Sequence, residues 1–105
     1  MKILFDQGTP VPLRRSLPGH VVDTCAERGW SQLQNGDLLR EAEAGSYDLF
    51  VTTDQNLRCQ QNITGRRMAI LVLLTTSWPR IQQRTADIAA AVEAIRPGDY
   101  LEFPV

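Results

Sequence analysis

Met68-Ala69-Ile70-Leu71-Val72-Leu73-Leu74 is the most apolar run in the chain, and its reading decides the fold. An uninterrupted apolar run of this length predicts a strand buried on both faces, which is the situation at the centre of a parallel sheet. Working outward toward the N-terminus, Asp48 to Thr53 encloses Leu49-Phe50-Val51 and predicts another strand. His20-Val21-Val22-Asp23-Thr24 predicts a shorter one, and Lys2-Ile3-Leu4-Phe5 opens the chain with a fourth. Toward the C-terminus, Pro97-Gly98 turns the chain into a last strand, Tyr100 to Phe103.

The stretches between these strands carry helical periodicity. Thr9-Pro10 predicts a hydroxyl cap followed by proline at the first helical position. The helix it starts carries Val11, Leu13 and Leu17 and stops before Pro18-Gly19. Ala26 to Gln34 shows no period and reads as a loop holding Trp30. Asn35 reads as the cap of a helix through about Ala44, with Leu38, Leu39 and Ala42 as its buried stripe and Gly45-Ser46 as its end. A short helical stretch is expected after Asp54, closed by Gly65. Thr75-Thr76-Ser77-Trp78-Pro79 again combines hydroxyl groups with an early proline, and Ile81, Thr85, Ile88, Ala89, Val92 and Ile95 then recur at helical spacing. Strands alternating with helices predict an α/β domain: a three-layer α/β/α sandwich on a mostly parallel five-stranded sheet.

Length and composition agree with one domain spanning residues 1–105. The 43% apolar and 22% charged residues are the mix of a globular protein, with no repeat or linker dividing the chain. A formal net charge of −1 gives no global signature of a nucleic-acid binder, although a local basic stripe is enough to hold RNA. Ten of the 11 basic residues are Arg, which suits phosphate geometry but is as well explained by codon usage. No signal-peptide layout or membrane-length apolar stretch is present, so a cytoplasmic protein without membrane contact is expected. Cys25 and Cys59 fall in no metal or redox spacing and read as free thiols. His20 stands alone and reads as structural.

In open parallel sheets, ligands bind outside the carboxyl ends of the strands. The first strand runs into Asp6 and the third into Asp54, so both acids belong to that edge. If the two strands are neighbours, their backbones lie about 5 Å apart, and one cation can bridge both carboxylates. Asp37 sits in the first turn of the Asn35 helix, where the helix dipole favours negative charge. A helix start on the same edge would bring it in as a third ligand. Oxygen ligands without His or Cys suit Mg²⁺ or Mn²⁺ and argue against zinc. Such an ion assists phosphodiester hydrolysis. Each acid also has a plain structural reading. Acids at strand ends commonly cap the following turn, most plausibly Asp54, whereas beside Asp6 that role falls to Thr9-Pro10. Glu41, one turn beyond Asp37, is an additional candidate ligand or a solvated surface residue.

Ile3-Leu4-Phe5-Asp6, Asn35-Gly36-Asp37-Leu38-Leu39 and Leu49-Phe50-Val51-Thr52-Thr53-Asp54-Gln55-Asn56-Leu57, in that order and spacing, resemble the small PIN-like proteins related to VapC toxins. The resemblance runs nearly the whole chain, through short motifs. It implies a PIN-like, metal-dependent ribonuclease, commonly the toxin of a toxin–antitoxin pair, with RNA as substrate and an antitoxin as partner. It assigns Asp6, Asp37 and Asp54 as metal ligands, Thr52 as the hydroxyl that orients water or a carboxylate, and Asn56 as a further polar position. Gln7 departs from the pattern, standing where many relatives carry Glu, so three acids remain where four are common.

Two other classes compete. A phosphoacceptor receiver domain would use Asp6, Asp54 and Thr75 or Thr76. It also needs a lysine near the end of its fifth strand, and Lys2 is the single lysine here. The stronger rival is a catalytically silent PIN-like module that binds RNA or a partner protein. Arg14, Arg15, Arg58, Arg66 and Arg67 are its candidate phosphate contacts, against the simpler reading of a solvated basic surface. The C-terminal Phe103-Pro104-Val105 covers a sheet edge, joins a homodimer interface, or merely closes the core. Core closure is the simplest of these.

Overall fold

A computed structural model describes residues 1–57 and 66–105. Five strands form one all-parallel sheet: β1 (Lys2–Phe5), β2 (Val21–Thr24), β3 (Leu49–Thr52), β4 (Ala69–Leu73) and β5 (Tyr100–Phe103). Their order is β2-β1-β3-β4-β5. The apolar run that decides the fold is β4, buried along its whole length between β3 and β5. Each fully buried Leu, Ile or Val there contributes roughly 1.5–3 kcal/mol relative to exposure.

Side chains alternate across a strand, so odd and even positions feed two different cores. Ile3, Phe5, Leu49, Val51, Leu71 and Leu73 face one layer and meet Leu13, Ile81, Ile88 and Val92. Leu4, Phe50, Ile70 and Val72 face the other and meet Leu38, Leu39 and Ala42. The second layer is helix α1 (Asn35–Ala44). The first combines the 3₁₀ helix Val11–Ser16 with α2 (Trp78–Gln82) and α3 (Thr85–Ala94). The expected three-layer α/β/α arrangement is therefore present, with the sheet wholly rather than mostly parallel.

Several local expectations are corrected. The helix after β1 is a 3₁₀ turn whose N-cap is Pro10. Thr9 does not cap it: buried beneath the loop, its hydroxyl donates to the Val51 carbonyl at 3.0 Å. With prolines at 10 and 12, the segment is short and buries Leu13 while leaving Val11 exposed. Asn35 is the first residue of α1 rather than its cap; Gln34 precedes it in extended backbone. The long C-terminal periodicity is shared by α2 and α3, which meet at Gln83 and Arg84. Phe103 and Val105 pack against the first core, in keeping with closure of the core by the C-terminal segment. The helical stretch expected up to Gly65, together with Arg58 and Cys59, lies outside the described residues. Among the described residues, no helix is long and apolar enough to cross a membrane.

Candidate functional site

Sheet order positions the site. From β1 the chain crosses to β2 on one side, then returns past β1 to place β3 on the other. The carboxyl ends of β1 and β3 thus flank the point where strand order reverses, the usual ligand position in such sheets. The two strands pair directly, with Phe5 opposite Val51, so the residues that follow, Asp6 and Thr52, come level. Both fall on the α1 side of the sheet by the alternation that places Leu4 and Phe50 there. Since α1 leads into β3, it begins at the carboxyl edge and runs back across the sheet.

Thr52 is the hub. It is fully buried, and its hydroxyl donates to Asp6 Oδ2 at 2.8 Å while accepting the Asp54 main-chain N–H at 3.1 Å. One side chain therefore fixes both acids. The remaining carboxylate oxygens are also engaged. Asp6 Oδ1 accepts the Gln7 N–H at 2.8 Å, and Asp54 Oδ1 accepts the Asn56 N–H at 2.9 Å. Asp54 Oδ2 accepts the Asn35 side-chain amide at 2.9 Å. Each oxygen has one donor here, and a carboxylate oxygen has a second lone pair to offer.

Asp54 therefore also has the structural role weighed for it: its side chain and carbonyl close the turn at Gln55-Asn56 by accepting the Asn56 and Leu57 N–H groups. Asn56 takes part through its backbone, with its side chain exposed. Gln7 likewise contributes its N–H and is otherwise exposed. Close packing reinforces this corner. A Cβ on Gly8 would lie 2.4 Å from Thr53 Oγ1, so the loop after β1 packs closely on the end of β3 and a larger residue there would require the Thr53 side chain to shift.

Asp37 is held apart from this group. It lies in the first turn of α1, half exposed, and forms an ion pair with Arg40 one turn along. The α1 residue that reaches the acids is Asn35. Glu41 is exposed on the same helix. Among the described residues, no three His, Cys, Asp or Glu side chains gather in a group able to hold a metal ion. Asp6 and Asp54 bring two carboxylates to one edge, where the Thr52 hydroxyl and the Asn35 side-chain N–H donate to them and are not themselves oxygen ligands. Two carboxylates fit Mg²⁺, which is commonly bound by one or two carboxylates and completes its shell with water and substrate phosphate.

Cys25, directly after β2, was not foreseen as a neighbour. Its N–H donates to the Phe5 carbonyl at 3.0 Å, and its thiol is buried beside Asp6. Burial first, and the Asp6 charge second, push the thiol up to about 12. Such a thiol stays protonated at neutral pH and is a poor nucleophile or metal ligand. The strand alternation and the parallel register would have located it, given the strand order.

The arginines separate into two groups. Arg14 lies at the carboxyl edge, but both its terminal nitrogens are held by Glu27, at 2.8 and 3.2 Å. Thr24 and Arg14 together hold the Glu27 carboxyl below its ordinary range. Arg15 is exposed on the 3₁₀ helix. Arg66 and Arg67 precede β4 and so belong to the opposite, amino-terminal edge, contrary to the expectation that they flank the acids; Arg66 forms an ion pair with Glu43.

A cleft opens at that far edge. It has a volume of about 570 Å³ and is lined by residues leading into β3 and β4 and by the turn after α3. The chain matches no family model, no curated protein and no solved structure.

Proposed function

We propose that the protein is a metal-dependent phosphodiesterase acting on RNA, a PIN-like ribonuclease of the kind found as the toxin of toxin–antitoxin pairs. The observation that carries this reading is the shared Thr52 hydroxyl, which locks Asp6 and Asp54 together at the reversal point of a parallel sheet. Acids that merely capped separate turns would not need a common buried partner. The two carboxylates would hold Mg²⁺ or Mn²⁺, and the ion would supply positive charge for the phosphoryl oxygens and lower the pKa of water.

The chain's own residues do the rest. Thr52 orients the Asp6 carboxylate and fixes the backbone on which Asp54 sits. Asn35 turns the Asp54 carboxylate through its outer oxygen. The N-terminus of α1 adds its dipole to an edge that carries two negative charges. Asp37 would join as a third ligand only by moving toward the pair, its Oδ1 being held by Arg40 where it now lies. The reading places the protein in the cytoplasm, with RNA as substrate and an antitoxin as partner.

The second reading, a silent module that binds RNA or a partner protein, is favoured by one observation. Every oxygen of Asp6 and Asp54 already accepts a hydrogen bond from the protein. A single experiment separates the two. The purified protein is incubated with a mixed structured RNA and Mn²⁺ or EDTA, beside the double variant Asp6→Asn/Asp54→Asn. Nuclease function predicts cleavage that EDTA abolishes and that the variant lacks by on the order of 10²–10³-fold, the scale of losing transition-state charge stabilisation. Equal inactivity of both proteins, with no Mn²⁺-dependent rise in wild-type Tm, would make the acids structural.

A further inference from the structure

The cleft at the amino-terminal edge lies outside the carboxylate site, and its chemistry differs. Its volume of about 570 Å³ is within the range of small-molecule sites. Met68, Ile95 and Pro97 give it an apolar wall, and Tyr47 adds an aromatic ring. Two acids and two arginines also line it, with Met1, Ser46 and Ala69. The acids are engaged: Glu43 pairs with Arg66, and Asp48 accepts the Lys2 main-chain N–H at 2.8 Å. Arg67 and Arg96 are exposed, and neither guanidinium has a partner among the described residues.

The backbones carrying these two arginines are tied together. The Arg67 carbonyl accepts the Gly98 N–H at 2.8 Å, and the Arg96 N–H donates to Asp99 Oδ2 at 2.9 Å. Gly98 adopts φ +81°, and a Cβ there would come within 3.1 Å of the Arg66 carbonyl. The turn after α3 is thereby pressed onto the lead-in to β4, which brings the backbones of two arginines to one rim of the cleft. Binding costs less when the recognising groups are positioned beforehand.

We propose that this cleft binds a small organic anion, with one carboxylate or phosphate group on an apolar or aromatic body. The anionic group would be taken by Arg67 and Arg96 and the body by Met68, Ile95 and Pro97. A guanidinium fork offers paired donors to either anion, so carboxylate and phosphate share the recognition chemistry. The inference stands independently of the nuclease reading.

The test is a calorimetric titration of the full chain with phenyl phosphate and with benzoate, using inorganic phosphate and a hexaglutamate peptide as controls. Saturable binding of at least one aromatic anion is expected, tighter than that of inorganic phosphate. Arg67→Ala/Arg96→Ala should weaken it by at least about tenfold, from loss of charge-assisted hydrogen bonds. Arg67→Lys/Arg96→Lys keeps the charge without the fork and should fall between. The Asp6→Asn/Asp54→Asn protein should bind as the wild type does. The proposal is overturned by no saturable binding of either aromatic anion, or by equal binding to the alanine variant. Equal affinity for inorganic phosphate would also sink it, since the apolar wall would then contribute nothing. So would tighter binding of hexaglutamate, which would make the face a docking surface for an acidic protein, or loss of binding in the aspartate variant, which would place the anion at the other edge.

Discussion

The two ends of the sheet are built on opposite plans. At the carboxyl edge, Asp6, Thr52, Asp54 and Asn35 close on one another through short hydrogen bonds, and polar groups face polar groups. At the amino edge there is open volume, with an apolar wall and two guanidinium groups that have no partner among the described residues. The open cleft points to the amino edge, whereas the converging acids and the sheet topology point to the carboxyl edge. The difference teaches that concavity and chemistry need not coincide. A hydrolytic site for a long polymer needs exposed, rigid carboxylates more than a deep hole, while a small ligand needs enclosure.

Both ends hang on the same sheet, so the largest effect expected removes the comparison altogether. Leu71 is fully buried at the centre of β4 and packs in the first core. Leu71→Ala should destabilise the protein by about 2–5 kcal/mol, read from the urea midpoint. RNA cleavage and anion binding should then be lost over the same denaturant range. Two separate transitions would show that the ends are independently stable.

A smaller effect isolates the carboxyl edge. Thr52→Val keeps the volume of a fully buried side chain and removes the hydroxyl shared by Asp6 and Asp54. Losing a hydrogen bond to a charged group should cost about 1.5–3 kcal/mol of stability. Mn²⁺-dependent cleavage should fall roughly tenfold or more at temperatures where the variant is fully folded, in line with a loss of 1.4 kcal/mol or more in transition-state stabilisation. Thr52→Ser should restore most of both, and anion binding at the other edge should not change. Cleavage unaltered in Thr52→Val would remove the observation on which the nuclease reading stands.

These residues also show where sequence reasoning reached and where it stopped. The strands were legible because burial on both faces writes an unbroken apolar run, as in β4, and because strand and helix periods differ. The common edge of Asp6 and Asp54 is legible because in a parallel sheet every strand end of one kind lies on one edge, whereas Thr52 enters only through the resemblance to PIN-like proteins. The alliance of Asn35 with Asp54 was not legible. An asparagine at a helix start reads as a cap, and only the tertiary position of α1 shows its amide turned to β3 instead. The surroundings of Asp37 are not legible for a related reason, since membership of the first turn says nothing about which way round the helix a side chain projects, and its partner in the structure is Arg40. Arg66 and Arg67 stand at the amino edge because β3 and β4 are parallel, so residues that precede β4 lie at the opposite edge from those that follow β3. The cleft had no sequence signature at all, being made from the starts of two strands and the turn after a distant helix.

The smallest effect concerns Tyr47, which lines the cleft yet is also tied to β2. Its hydroxyl donates to Asp23 Oδ2 at 2.5 Å, and its ring is flanked by Lys2 and Arg28. Burial first, then the hydrogen bond to Asp23 and its charge, push the phenol up to about 12 from an ordinary value of 10.0. The folded protein therefore holds this proton more tightly than the unfolded chain. The associated stability is complete below about pH 10 and is lost as pH rises toward about 12. Tyr47→Phe should cost on the order of 1 kcal/mol at pH 8, from loss of the hydrogen bond. That penalty should shrink between pH 10 and 12, because phenylalanine has no proton to lose. Urea unfolding of both proteins across this range checks the sign directly. A penalty that stayed constant or grew with pH would mean that Asp23 does not hold the phenol. A penalty that shrank while phenyl phosphate binding at pH 8 stayed intact would assign Tyr47 to the packing of the amino edge rather than to its ligand.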